Sequence, residues 1–82
     1  MAEENVERTA VVLHTVRQVL GRPELGLDDD VFDNGATSLS FVRILAMIHQ
    51  ETGVAVSAPA LNGEATPRRI AALVESALLQ SA

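Results

Sequence analysis

Apolar residues recur at spacings of three and four in three stretches of the chain, and each stretch reads as an amphipathic helix. In the first, Val6, Thr9, Leu13, Val16 and Leu20 mark one face, and Val12 and Val19 widen it. Glu7, Arg8, Arg17 and Gln18 fall largely outside that stripe. This helix is expected from about Val6 to Leu20. Gly21-Arg22-Pro23 ends it, because Gly supplies a C-terminal cap and Pro cannot continue a helix. The second helix is expected from Ser38 to about Thr52, with Thr37 or Ser38 as N-cap and Gly53 as the stop. Leu39, Phe41, Ile44, Leu45 and Ile48 give it a broad apolar face. The third opens on Thr66-Pro67, a cap followed by a Pro whose missing N–H costs nothing in a first turn. Its stripe is Ile70, Leu73, Val74, Ala77 and Leu78.

Two connections separate these helices. Glu24 to Thr37 is long for a compact domain, and such loops are often functional. Leu25, Leu27, Val31 and Phe32 are expected to pin it to the core, which offsets the entropy of ordering it. The second connection, Val54 to Ala65, has room for one short helical turn near Pro59 to Asn62. The pattern predicts an all-α fold of three main helices and a short helical turn, occupying residues 1–82 as one domain. Residues 1–5 are expected to be flexible.

Composition narrows the picture. Hydrophobic residues make up 48% of the chain, too many for a disordered segment. The only aromatics are Phe32 and Phe41, so the core is aliphatic, which suits helix packing better than a β-sandwich. The net charge of −5 disfavours nucleic-acid binding and suits docking on basic protein surfaces. All six cations are Arg. No apolar run approaches the ~20 residues of a membrane span, and the acidic start is unlike a signal peptide. A cytoplasmic monomer is the expectation. Because the chain opens on Met with no flanking linker, a free-standing protein is expected over an excised domain. Cysteine is absent, so any thioester chemistry needs a thiol from outside the polypeptide.

One position invites chemistry. In Asp33-Asn34-Gly35-Ala36-Thr37-Ser38-Leu39 the small Gly35 and Ala36 leave Ser38 accessible at the start of the second helix. There, unpaired N–H groups and the helix dipole favour a phosphate. A Ser or Thr ahead of an apolar run is ordinarily only a helix cap, so the position by itself leaves both readings open.

The run Asp30-Val31-Phe32-Asp33-Asn34-Gly35-Ala36-Thr37-Ser38-Leu39 resembles the signature of the acyl and peptidyl carrier proteins: an acidic-aromatic stretch, a Gly, two variable residues, then Ser-Leu. Leu25-Gly26-Leu27, Gly53-Val54-Ala55-Val56 and Thr66-Pro67-Arg68-Arg69-Ile70-Ala71 extend the resemblance, which covers roughly Val6 to Leu79. It implies a carrier-type four-helix bundle with 4'-phosphopantetheine attached covalently to Ser38 by a phosphopantetheinyl transferase. The arm's thiol would hold acyl or aminoacyl groups as thioesters, which accounts for the missing cysteine. It implies no catalysis by the chain itself. Partners would be an adenylating enzyme or acyltransferase that loads it, and condensing or tailoring enzymes downstream. They would recognise Thr37, Leu39, Val42, Arg43, Ala46 and Met47 around Ser38.

Departures from the family pattern refine this. Thr37 stands where fatty-acid and polyketide carriers usually have Asp, and the second helix carries Arg43 and His49 with Glu51 as its only acid. That is closer to peptidyl carriers or carriers of hybrid assembly lines, with the fatty-acid or polyketide type and an arm-less interaction module as alternatives. Asn34 and Asn62 replace residues that are usually apolar.

Other candidates fail. Placing Gly35 sixth in a calcium loop that starts at Asp30 puts Phe32 and Phe41 at ligand positions, so the Asp28-Asp29-Asp30 run reads as a solvated acidic loop. His14 and His49 lie on different helices without a further ligand, and no metal site is expected. Arg43 is a candidate for contact with the phosphate or with a partner's acid.

Overall fold

The computed structural model describes residues 2–81, with side chains for residues 7–80. It contains three α-helices, α1 (Ala2–Leu20), α2 (Ser38–Thr52) and α3 (Pro67–Ser81), with a single 3-10 turn (Ala58–Leu61) between α2 and α3. No strand occurs among the described residues. The short turn thus begins one residue ahead of its expected place.

α1 starts at Ala2, ahead of its first apolar position. The expected flexibility of residues 1–5, and the place of Val6 in the stripe, concern Met1 and side chains outside the described residues. At its other end α1 stops as Gly21 takes φ 64°. The Gly21 N–H donates to Gln18 O (3.4 Å) and the Arg22 N–H to Arg17 O (3.0 Å), closing the helix with a paired Schellman cap.

α1 packs against both α2 and α3, and the 3-10 turn packs on α3. One core contains Val12 and Val16 of α1, Phe41, Ile44 and Ile48 of α2, and Ile70, Ala71 and Val74 of α3, joined by Leu25, Val31, Leu61 and Ala65 from the connections. Each fully buried Ile stabilises the fold by about 1.5–3 kcal/mol relative to exposure. The buried face of α1 centres on Val12, Thr15 and Val16, while Leu13, Val19 and Leu20 are only half-buried. A helix gripped from two sides presents a wider and differently centred face than one stripe suggests. The buried Thr15 hydroxyl is satisfied by donating to Val11 O (2.9 Å).

The first connection is tied down at several points. Leu25 and Val31 enter the core as expected, and Leu27 is half-buried. Phe32 does not: it is 46% exposed. The Asp30 carboxylate accepts from the N–H groups of Phe32 (2.8 Å) and Asp33 (3.1 Å), setting a turn in which Val31 points inward and Phe32 outward. The Phe32 ring then rests 5.1 Å from the ring of Phe41. The neighbouring acids are occupied too. Asp29 accepts from the Gly26 N–H (2.8 Å), and Asp28 pairs with Arg68 through contacts of 2.7 and 3.2 Å. Main-chain bonds from Arg68 N to Leu27 O (3.0 Å) and from Val31 N to Ala65 O (2.9 Å) fasten the loop to the approach of α3. The acidic run therefore shapes and anchors the loop as well as solvating it.

The two unexpected asparagines have backbone reasons. Asn62 closes the 3-10 turn at φ 51°, a left-handed conformation that Asn tolerates far better than an apolar residue would. Asn34 donates from its side-chain amide to Asp30 O (2.9 Å).

Candidate attachment site

Ser38 is the first helical residue of α2 and is exposed. Thr37, not Ser38, is the N-cap. Its Oγ accepts from the Ser40 N–H (3.1 Å) while the Ser40 Oγ accepts from the Thr37 N–H (2.8 Å), a complete capping box. Ser40 is a site residue that the sequence reading missed. The Thr-x-x-Ser spacing is its signal, obscured because capping boxes more often use Glu or Gln at that position. The box relieves Ser38 of capping duty, and its hydroxyl has no hydrogen-bond partner among the described residues.

The main chain at this helix end is likewise open. The Ser40 N–H is taken by Thr37 Oγ and the Phe41 N–H by Thr37 O (2.9 Å), whereas the N–H groups of Ser38 and Leu39 have no protein acceptor among the described residues. The first turn carries no acidic residue to compete for them. Two orphan donors, the positive end of the helix dipole and a free hydroxyl therefore come together at the start of α2.

The turn before the site holds this arrangement in place. Val31 O accepts from the N–H groups of Asn34 (3.1 Å) and Ala36 (2.9 Å), and the chain passes through Gly35 at φ 100°. That conformation is open to glycine and strained for any residue with a Cβ. An Arg22 guanidinium nitrogen lies 3.7 Å from where such a Cβ would stand.

Beyond Ser38 the structure brings Leu39, Val42, Arg43, Ala46 and Met47 onto one face of α2. All are exposed except Met47, which is half-buried in a groove that His14 and Thr15 of α1 also line. Leu39 was expected in the apolar core face of the helix, and it is not there: it stands 80% exposed, and Val42 61%. Helical periodicity could not separate them from the core stripe, because Leu39 is adjacent to it. Both stand on the α2 face that Arg43 and Ala46 share, and Phe32, packed on Phe41, is a third exposed large apolar residue. Arg43 is exposed and has no hydrogen-bonding or ionic partner among the described residues. His14 and His49 are both exposed and lie on different helices, and no cluster of metal-ligating side chains occurs among the described residues. None of the helices is long and apolar enough, over the described residues, to cross a membrane.

Residues 10–74 match the family described as phosphopantetheine attachment site. The chain belongs to that family. Its members' prosthetic group is bound covalently, and the open helix end fits the group: a free hydroxyl for the ester bond, and two unpaired N–H groups with no competing carboxylate for the phosphate. Surfactin synthase subunit 1 of Bacillus subtilis (strain 168) is 38% identical over 60 residues, which is 73% of this chain. The match covers 2% of that protein's length, so the attachment domain corresponds to a small part of a much larger polypeptide. No solved structure matches the chain.

Proposed function

We propose that Ser38 is the residue that carries phosphopantetheine, and that the chain is one carrier domain of nonribosomal peptide or hybrid polyketide assembly. The observation that carries this reading is the division of labour at the start of α2, where Thr37 and Ser40 cap the helix and leave the Ser38 hydroxyl exposed and unbonded. The group supplies a terminal thiol on which an acyl or aminoacyl cargo is held as a thioester, a function the cysteine-free chain cannot provide itself. The chain's own part is to present the serine to a phosphopantetheinyl transferase, hold the phosphate at the helix end, and offer α2 to partners. It performs no catalysis. The stripe of exposed Leu39, Val42, Arg43 and Ala46 with half-buried Met47, and Thr37 at its head, is the surface for an adenylating enzyme or acyltransferase and for condensing or tailoring enzymes downstream. The similarity to a surfactin synthase subunit favours the peptide type over the fatty-acid type. A cytoplasmic setting, where coenzyme A is available as the arm's donor, and a monomeric state belong to the same proposal.

Intact mass after incubation with coenzyme A and a broad-specificity transferase tests the assignment. A gain of one phosphopantetheine that disappears in Ser38→Ala is the expected result. No gain with a transferase that modifies a control carrier would leave an arm-less interaction module as the better reading.

A further inference from the structure

The chain contains two Asn-Gly dipeptides, Asn34-Gly35 and Asn62-Gly63, and the fold treats them in opposite ways. In such a pair the main-chain nitrogen of the glycine can attack the asparagine side-chain amide, since glycine puts no side chain in its path. At Asn34 both reacting groups are engaged. The side-chain nitrogen donates to Asp30 O (2.9 Å), the Gly35 N–H donates to Phe32 O (3.3 Å), and the residue is half-buried. At Asn62 neither is. The side chain is exposed and makes no hydrogen bond among the described residues, and the Gly63 N–H has no acceptor among them. The space beside Gly63 is empty, since a Cβ there would meet nothing within 4 Å.

We propose that Asn62 is a site of spontaneous deamidation, converting to aspartate and to β-linked isoaspartate, while folding protects Asn34. The Gly63 nitrogen gives its proton to solvent base and attacks Cγ of Asn62. A C–N bond forms, the Cγ–Nδ2 bond breaks, and the amide nitrogen leaves as ammonia. Water then opens the cyclic imide at either carbonyl, giving aspartate when the new bond is cut and isoaspartate when the original peptide bond is cut. Water is consumed, ammonia is released, and nothing is oxidised or reduced.

The native backbone at Asn62, φ 51° and ψ 42°, must rotate for the attack, and the bond from Glu64 N to Leu61 O (2.9 Å) that spans the dipeptide must open. Asn34 must likewise open a spanning bond, from Ala36 N to Val31 O (2.9 Å). What differs is the pair of additional bonds at Asn34. Asn62 should therefore convert roughly 30-fold faster than Asn34 in the folded chain, the factor for two net hydrogen bonds. The isoaspartate form inserts a methylene into the main chain between the buried Leu61 and the buried Ala65, whose carbonyl holds Val31 in the loop ahead of Ser38.

The test is to incubate the full chain in mildly alkaline buffer, folded and in denaturant, and to follow the amide-to-acid mass change at each dipeptide by peptide mass spectrometry. Isoaspartyl methyltransferase labelling identifies the β-linked product. The expected result is fast conversion at Asn62 and slow conversion at Asn34 when folded, with the ratio collapsing towards unity in denaturant. Asn62→Gly, which keeps a residue suited to the left-handed backbone, should remove the fast phase. Equal or reversed rates in the folded chain would overturn the proposal, as would a ratio that survives denaturation.

Discussion

α2 and α3 begin with the same device and finish it differently. Each is capped by a threonine hydroxyl accepting from the N–H three residues on, Thr37 from Ser40 and Thr66 from Arg69, at 3.1 Å in both cases. In α3 the remaining donors of the first turn are all accounted for: Pro67 has none, the Arg68 N–H goes to Leu27 O, and the Ile70 N–H goes to Thr66 O. Pro67 is itself fully buried. In α2 the equivalent first position is an exposed serine, and two N–H groups are left over. The protein completes one helix end from its own atoms and leaves donors open at the other, where we propose the arm's phosphate sits. A shared cap therefore says where a helix starts, and the unspent donors distinguish the start that we propose as the site.

The largest test of that contrast is all-or-none. Ser38→Ala should abolish loading while leaving stability within about 0.5 kcal/mol, since the hydroxyl has no hydrogen-bond partner among the described residues. Pro67→Ser gives α3 the same Thr-Ser start, yet intact mass should show no second arm, because that position is buried. An arm at residue 67 would mean that local sequence suffices. Next in size is the contrast between the apolar residues of the two first turns. Ile70→Ala should cost about 2–5 kcal/mol in urea unfolding, whereas Leu39→Ala should change stability by less than about 0.5 kcal/mol and slow transfer to partner enzymes instead. Third, Thr37→Ala and Thr66→Ala should each cost about 1 kcal/mol, but only the former should slow loading by the transferase.

The smallest effect concerns pH. Hydrogen bonding to Arg68 holds the Asp28 carboxyl below its ordinary value, and hydrogen bonding to Arg8 does the same for Glu75. A carboxyl whose pKa is lowered by folding contributes stability above its unfolded pKa, and that contribution disappears as pH falls through the folded value. Arg68→Ala should therefore lower the thermal midpoint slightly near neutrality and converge with the parent in acid. Both partners are exposed, so the difference should be small.

Most of the architecture could be read from the chain because α2 and α3 carry both their stripe and their punctuation: Thr37 and Gly53 bound one, and Thr66-Pro67 opens the other. The start of α1 was hidden, since the helix begins ahead of its first stripe position. At the candidate site, the small-residue approach and the place before an apolar run single out Ser38 in the sequence, but the openness around it does not show there. Leu39 and Phe32 look like core residues to any reading of hydrophobicity, and only packing shows that they face outward. The reciprocal role of Ser40 and the use of Asp30 as a turn acceptor depend on side-chain geometry that no periodicity encodes. Asn62 stands where an apolar residue is usual, and the left-handed backbone there supplies its reason.

The bond between Val31 and Ala65 closes a circuit of chain that contains the whole of α2 and the short turn after it. The turn that presents Ser38 is thus built from segments on both sides of the helix it serves. During synthesis the serine emerges well before Ala65 does, so its final setting cannot exist on a nascent chain that ends within α2. An enzyme that reads this setting, rather than the serine alone, would pass over unfinished chains and modify completed domains.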